Sequence, residues 1–217
     1  MEYLAYPPQG KGKGILVLSE WWGVVDHIKS VVDRFAKEGF VAYAPDLYHG
    51  KTTTKPDEAG RLMMALNIEE TAQELSLAAS KLLKNPAVTS SQVGVIGFCM
   101  GGQLALYAAS VSSDIGACVD FYGIHSAVHP KFHQIKCPVL GFFGSRDAFV
   151  TPEVVHQLDM ALRKDSVEHT FYSYDANHAF FNDSRPEVYN KEAAQDAWAK
   201  TVTFVTTRLA HRAGWDK

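Results

Sequence analysis

A chain of 217 residues, 47% hydrophobic and 21% charged, can bury about 70% of the surface its unfolded form exposes, which excludes a disordered or low-complexity chain. The net charge of −3, without any basic tract, argues against nucleic acid or an anionic membrane surface as a partner. Three cysteines, Cys99, Cys118 and Cys137, make no disulfide framework and suit a reducing compartment, so a cytoplasmic location is expected.

The first eight residues lack a charged segment followed by an apolar core, and read as no secretory signal. Residues 2–6 suit an edge strand, joined as a hairpin through Pro7-Pro8-Gln9-Gly10 to a strand over 14–19. Val24, Val25, Ile28, Val31, Val32 and Phe35 mark one face of a helix that stops at Gly39. A strand follows at 40–44, and then a helix over about 57–84 that carries Leu62, Leu66, Leu75, Ala79 and Leu82. No formal charge occurs between Lys84 and Asp114, so residues 93–111 superficially resemble a membrane span. Gly94, Gly97, Gly101, Gly102 and Gln103 speak instead for a buried strand at 92–96 running into a buried helix over about 100–110. Strands at 117–122, 139–143 and 169–174 complete the series. One further helix opens at Thr151-Pro152, and another over about 189–209 turns Ala194, Trp198, Phe204 and Val205 inward. The strand runs are mostly continuous and apolar, as expected when both faces are covered. Their alternation with helices predicts an α/β fold whose mostly parallel central sheet of about six to eight strands has helices on both faces. No repeat or linker divides residues 1–217, so a single domain is expected.

The chemistry concentrates in Gly97-Phe-Cys99-Met-Gly101-Gly102, between an apolar strand and an Ala/Leu-rich helix. This has the form of a nucleophile elbow with cysteine in place of serine. The turn is so tight that side chains two residues either side of the nucleophile would clash, and the helix N-terminus favours a thiolate. Two other readings compete. Cys99 could be a buried structural cysteine, or the glycines could form a dinucleotide loop with Asp120 downstream, although the spacing is not Gly-x-Gly-x-x-Gly. An elbow requires an acid and then a histidine later in the chain. Asp147 follows the strand at 139–143, and His178 follows the strand at 169–174. Parallel strands deliver their C-terminal ends to one sheet edge, so Cys99, Asp147 and His178 can converge there.

These segments together resemble the dienelactone hydrolase family, a cysteine-using branch of the α/β-hydrolase fold. The resemblance rests on Ser19-Glu20-Trp-Trp-Gly23, Ala44-Pro45-Asp46-Leu47-Tyr48, Gly97-Phe-Cys-Met-Gly-Gly102, Gly144-Ser-Arg-Asp147 and Asn177-His178-Ala-Phe-Phe-Asn-Asp-Ser-Arg-Pro186, in order across nearly the whole chain. It implies hydrolysis of a small-molecule ester or lactone without metal or cofactor. Cys99 would be the nucleophile, His178 the base and then the acid, and Asp147 its orienting partner. Glu20 would contact the resting thiol and help generate the thiolate, and the backbone N–H groups of Met100 and Trp21 would form the oxyanion hole. Adjacency to Glu20 makes Trp21 or Trp22 a pocket wall. Well-known members hold a substrate carboxylate with two arginines. The matching positions here are Asn182 and a residue near Pro56, with Lys55 and Arg61 as neighbours, while Arg185 lies within reach as an alternative anchor. A preference for uncharged esters or lactones follows.

Other features read as structural. His125, His129 and His133 recur every fourth residue, but Pro130 interrupts any helix, so loop histidines are expected. Cys118 and Cys137 suit the core. No phosphate loop, zinc motif or flavin signature occurs. A thioesterase or peptidase using the same triad is one rival reading, and a catalytically silent binding module is another. A monomer or small homo-oligomer is expected.

Overall fold

The computed structural model describes residues 1–213. Its elements are β1 (Tyr3–Ala5), β2 (Gly14–Leu18), α1 (Asp26–Lys37), β3 (Val41–Ala44), α2 (Pro56–Met64), α3 (Ile68–Leu83), β4 (Val93–Phe98), α4 (Met100–Val111), β5 (Ile115–Phe121), β6 (Val139–Gly144), α5 (Pro152–Lys164), β7 (His169–Tyr174) and α6 (Lys191–Arg208). The seven strands form one sheet in the order β1-β3-β2-β4-β5-β6-β7. All neighbours are parallel except β1, which runs antiparallel to β3.

Side chains alternate across the sheet and thereby build two core layers. Ile15, Val17, Ile96, Phe98 and Phe121 face α1 and α6, packing on Ile28, Phe35, Ala197 and Val205. Leu16, Leu18, Val95 and Cys118 face α3, α4 and α5, packing on Leu75, Leu104 and Leu162. Helices therefore cover both faces. The uncharged stretch at 93–111 is β4 followed by α4, and among the described residues no helix is long and apolar enough to cross a membrane.

Two expectations are corrected. Residues 2–6 form no hairpin with β2: β1 pairs with β3, with Tyr3 opposite Ala44 and Ala5 opposite Ala42. The parallel β2–β3 pairing occupies the edge of β2 that a hairpin would have needed. The expected helix over 57–84 is two helices. Asn67 ends the first segment and caps α3, its side chain accepting from the N–H groups of Glu69 (3.1 Å) and Glu70 (3.3 Å). The expected stop of α1 at Gly39 is met, with φ at 98°. Thr151 caps α5 ahead of Pro152.

Candidate active site

Four loops at the C-terminal edge of the parallel strands carry the residues singled out from sequence. Cys99 follows β4 directly and caps α4, at φ 53° and ψ −118°. A Cβ on Gly97 would collide with the Gly101 carbonyl, and one on Gly101 would collide with the Leu18 carbonyl, so the turn can close only with glycine at both positions. The Cys99 amide donates to the Phe121 carbonyl (3.0 Å), and its carbonyl accepts from Gly102 (2.9 Å) and Ile124 (3.1 Å). These bonds tie the elbow to β5 and hold it in an otherwise unfavourable conformation.

Cys99 is 9% exposed. Burial and the charge of Glu20 push its thiol well above the ordinary range, while the backbone N–H groups of Met100 and Trp21 donate toward the sulfur and partly offset this. Asp147, after β6, is buried and lies 2.6 Å through Oδ2 from His178 Nδ1. Its Oδ1 accepts from Phe149 (2.7 Å) and Val150 (2.9 Å). Burial opposes ionisation of Asp147, but His178 and these two amides outweigh it and hold the carboxyl below its usual value. His178, in the loop after β7, packs edge-on against Tyr122 (5.1 Å) and Phe149 (5.2 Å), which leaves its ring little freedom.

Glu20, two residues beyond β2, is 2% exposed. Its Oε2 accepts from Asn182 Nδ2 at 2.6 Å, whereas Oε1 is buried without a partner. Burial raises its pKa, against the opposing charges of His27, His178 and Arg185 and the Asn182 bond.

Cys99, His178 and Glu20 line one cavity of about 340 Å³, walled by Trp21, Trp22, Met63, Ile124 and Phe149, with Arg185 at its side. Hollows of about 410, 520 and 650 Å³ elsewhere on the molecule are larger, but no cysteine lines any of them. Both tryptophans are walls, packed edge-to-face at 5.1 Å. Pro56 lines the cavity. Asn182 lies outside the lining of this cavity and borders an adjoining recess with Trp22, Pro56 and Arg185. It is 1% exposed and sits behind Glu20, its Oδ1 turned to Ser184, because a buried carboxylate needs a donor more than a solvated cavity wall does. Arg185 Nε pairs with Glu187 (2.8 Å), and its guanidinium lies 5.8 Å from the Trp22 ring.

Sequence reasoning missed Tyr122, Phe149 and Met63. Tyr122 carried one available signal, an aromatic residue ending the strand beside the elbow strand. His125 and His129 are in loops as expected and His133 lies in a short 3-10 turn, but His125 also lines the cavity. Its Nδ1 accepts from Ala127 (3.1 Å), which leaves Nε2–H to donate to the Met63 carbonyl (3.1 Å). Burial holds its pKa below the ordinary imidazole value. Among the described residues, no group of three or more His, Cys, Asp or Glu is placed to hold a metal ion.

A parallel sheet with a cysteine elbow and a His–Asp pair at its C-terminal edge defines an α/β-hydrolase fold, here in an ester or lactone hydrolase. The chain belongs to the dienelactone hydrolase family, whose family model matches residues 1–209. It is 40% identical over 210 residues to "Protein usf" of Aquifex pyrophilus, covering 93% of this chain and 90% of that protein. It is 34% identical over 211 residues to the "Putative carboxymethylenebutenolidase" of Aquifex aeolicus, covering 93% and 91%. The crystal structure of the "Putative Dienelactone Hydrolase" of Klebsiella pneumoniae superposes with a TM-score of 0.85 at 27% identity, covering 94% of this chain and 92% of that one.

Proposed function

We propose that the protein cleaves small esters or lactones through a thioester on Cys99. The observation that carries this reading is the convergence on one cavity of a buried thiol at a tight strand-to-helix turn and an imidazole tied by Nδ1 to a buried carboxylate. With Nδ1–H donated to Asp147, Nε2 of His178 keeps its lone pair and acts as the base. As substrate enters, Glu20 assists ionisation of the thiol and His178 takes up its proton. The thiolate attacks the carbonyl carbon, and the amides of Met100 and Trp21 hold the oxyanion, each such donor contributing a few kcal/mol. The tetrahedral adduct collapses to a thioester as His178 returns the proton to the leaving alkoxide. A water molecule deprotonated by His178 then attacks the thioester, which releases the acid and restores the thiol.

Turnover of aryl and alkyl esters and lactones by the wild type, Cys99→Ala and His178→Ala, with peptide mapping after iodoacetamide, tests this reading. Both variants should lose at least about a thousandfold in kcat. Inactivation should track alkylation of Cys99, ahead of the buried Cys118 and Cys137. Fully inactivated protein still unmodified at Cys99 would remove the nucleophile from the proposal. A thioesterase or peptidase reading would need a preference for thioesters or amides in the same screen.

A further inference from the structure

The helix over the cavity is held at its C-terminal end by a side chain that the reaction above does not use. α2 contributes Pro56 and Met63 to the cavity lining and rests through Gly60 against Trp21, yet Ala59 is its only buried residue. Its N-terminal end is tied down through Thr53, whose Oγ1 donates to Glu58 (2.6 Å) and whose N–H donates to the Trp22 carbonyl (3.2 Å). Its C-terminal end meets His125, from the loop after β5 that also brings Ile124 to the cavity. Met63 stands in the last turn, where helix carbonyls run out of intrahelical donors, and the Leu66 N–H approaches its oxygen only at 3.4 Å. His125 Nε2 supplies a donor at 3.1 Å, from 62 residues away in the chain.

The ring can make this bond in one protonation state. Ala127 N–H is a donor 3.1 Å from Nδ1, so Nδ1 must present its lone pair. The Met63 carbonyl is an acceptor, so Nε2 must carry the proton. We propose that neutral His125 is a positioning residue that latches α2 over the cavity, and that a second proton on its ring releases the latch. A proton on Nδ1 would set two donors against each other at a residue only 5% exposed, so the ring must leave and the Met63 carbonyl loses its partner. Burial, and after it the like charge of His129, hold the His125 pKa below its ordinary 6.5. The latch is therefore closed at neutral pH and weakens as pH falls below that value. Other charges around the ring are exposed or engaged elsewhere. On α2, Asp57, Glu58 and Arg61 are exposed, and α4 carries no charged residue. Across the cavity, Glu20 is bonded to Asn182 and Arg185 is paired with Glu187, while Cys99 and His178 complete the titratable lining. With Met63 released, one wall of the cavity opens and substrate binds less tightly, whereas the elbow that aims Cys99 is untouched.

The effect on substrate rests on the functional reading above, but the latch itself can be read without it, by amide hydrogen exchange. After correction for intrinsic rates, residues 59–66 should exchange at least about tenfold faster in His125→Ala at pH 7, with α4 as the unchanged reference. His125→Gln, whose amide keeps a donor for Met63 and binds no proton, should stay within about twofold of the wild type. Between pH 7.5 and pH 5, protection of the same segment should fall severalfold in the wild type and hold steady in His125→Gln. The wild-type series needs no variant, so the test survives should His125→Ala not fold. Wild-type protection indifferent to pH, or a glutamine variant that behaves like the alanine one, would overturn the proposal. In turnover of phenyl acetate at pH 7, His125→Ala should raise KM severalfold and leave kcat within about threefold. A loss confined to kcat would instead place His125 in the chemistry and end its positioning role. Turnover surviving in Cys99→Ala would remove the nucleophile and leave the exchange result standing, so the two readings fail separately.

Discussion

Cys99 occupies a backbone conformation that costs a non-glycine residue about 1–3 kcal/mol, and its thiol is held un-ionised by burial and by Glu20. A thiol so guarded should be slow toward reagents that do not mimic substrate. Glu20→Gln removes the repelling charge, so alkylation of Cys99 at pH 7–8 should rise severalfold while ester turnover falls, because the group proposed to assist ionisation on substrate entry is gone. Parallel alkylation and turnover assays check this, and a joint rise in both rates would contradict it. Arg185 bears on the choice of substrate. Its partner Glu187 neutralises it at rest, and Asn182, at the position where the family carries an arginine, is committed to Glu20. One missing guanidinium–carboxylate contact removes about 2–3 kcal/mol, or roughly a hundredfold in affinity. Neutral lactones should therefore exceed dienelactone in kcat/KM. A strong preference for the charged substrate that disappears in Arg185→Ala would instead make Arg185 the carboxylate anchor.

Among the elements, the turn glycines and the helical glycine Gly60 make opposite demands. A methyl group on Gly101 would strike the backbone of β2, which cannot move aside, so Gly101→Ala should unfold the protein or abolish activity. Gly60 lies inside α2, where an added Cβ would come no nearer than 3.8 Å to Trp21. Gly60→Ala should stabilise by about 0.5–1 kcal/mol, a rise in Tm of roughly 1–4 °C for a chain of this size. Thermal melts of the two variants check both outcomes. The contrast also explains why elements were unevenly legible in the sequence. The continuous apolar runs of β2, β4, β5 and β6 announced themselves because both sheet faces are covered. The break between α2 and α3 did not, because Leu62 and Leu66, and then Leu75, Ala79 and Leu82, each keep helical spacing and no glycine or proline separates the two sets, so the Asn67 cap alone marks the boundary.

For the whole molecule, stability and pH are linked through a carboxyl far from solvent. Asp120 on β5 is fully buried, with Oδ1 accepting from Gly123 N–H (2.8 Å) and Oδ2 unpartnered, and burial pushes its pKa up to about 7 from an ordinary 3.8. Between those values the folded chain keeps a proton that the unfolded chain has lost. Its stabilising share is therefore whole below pH 3.8 and is lost as pH rises through about 7, on the order of 4 kcal/mol. Asp147, held below its usual value, works in the opposite sense and loses its share as pH falls. Asp120→Asn should flatten the decline in Tm between pH 5 and pH 8, and an unchanged slope would mean that the charge is not carried there. The chain's patterning by itself determined the α/β class, the strand order in sequence, the elbow at Cys99 and the acid-then-histidine succession, because these depend on local periodicity and on turns too tight for a side chain. Tertiary structure alone decided the pairing of β1 with β3, the bond from Asn182 to Glu20, and the packing of Tyr122 and Phe149 on the His178 ring. Each of these is a contact between residues far apart in the chain or on separate elements, where burial of a charge or competition for a strand edge, and not local spacing, selects the partner.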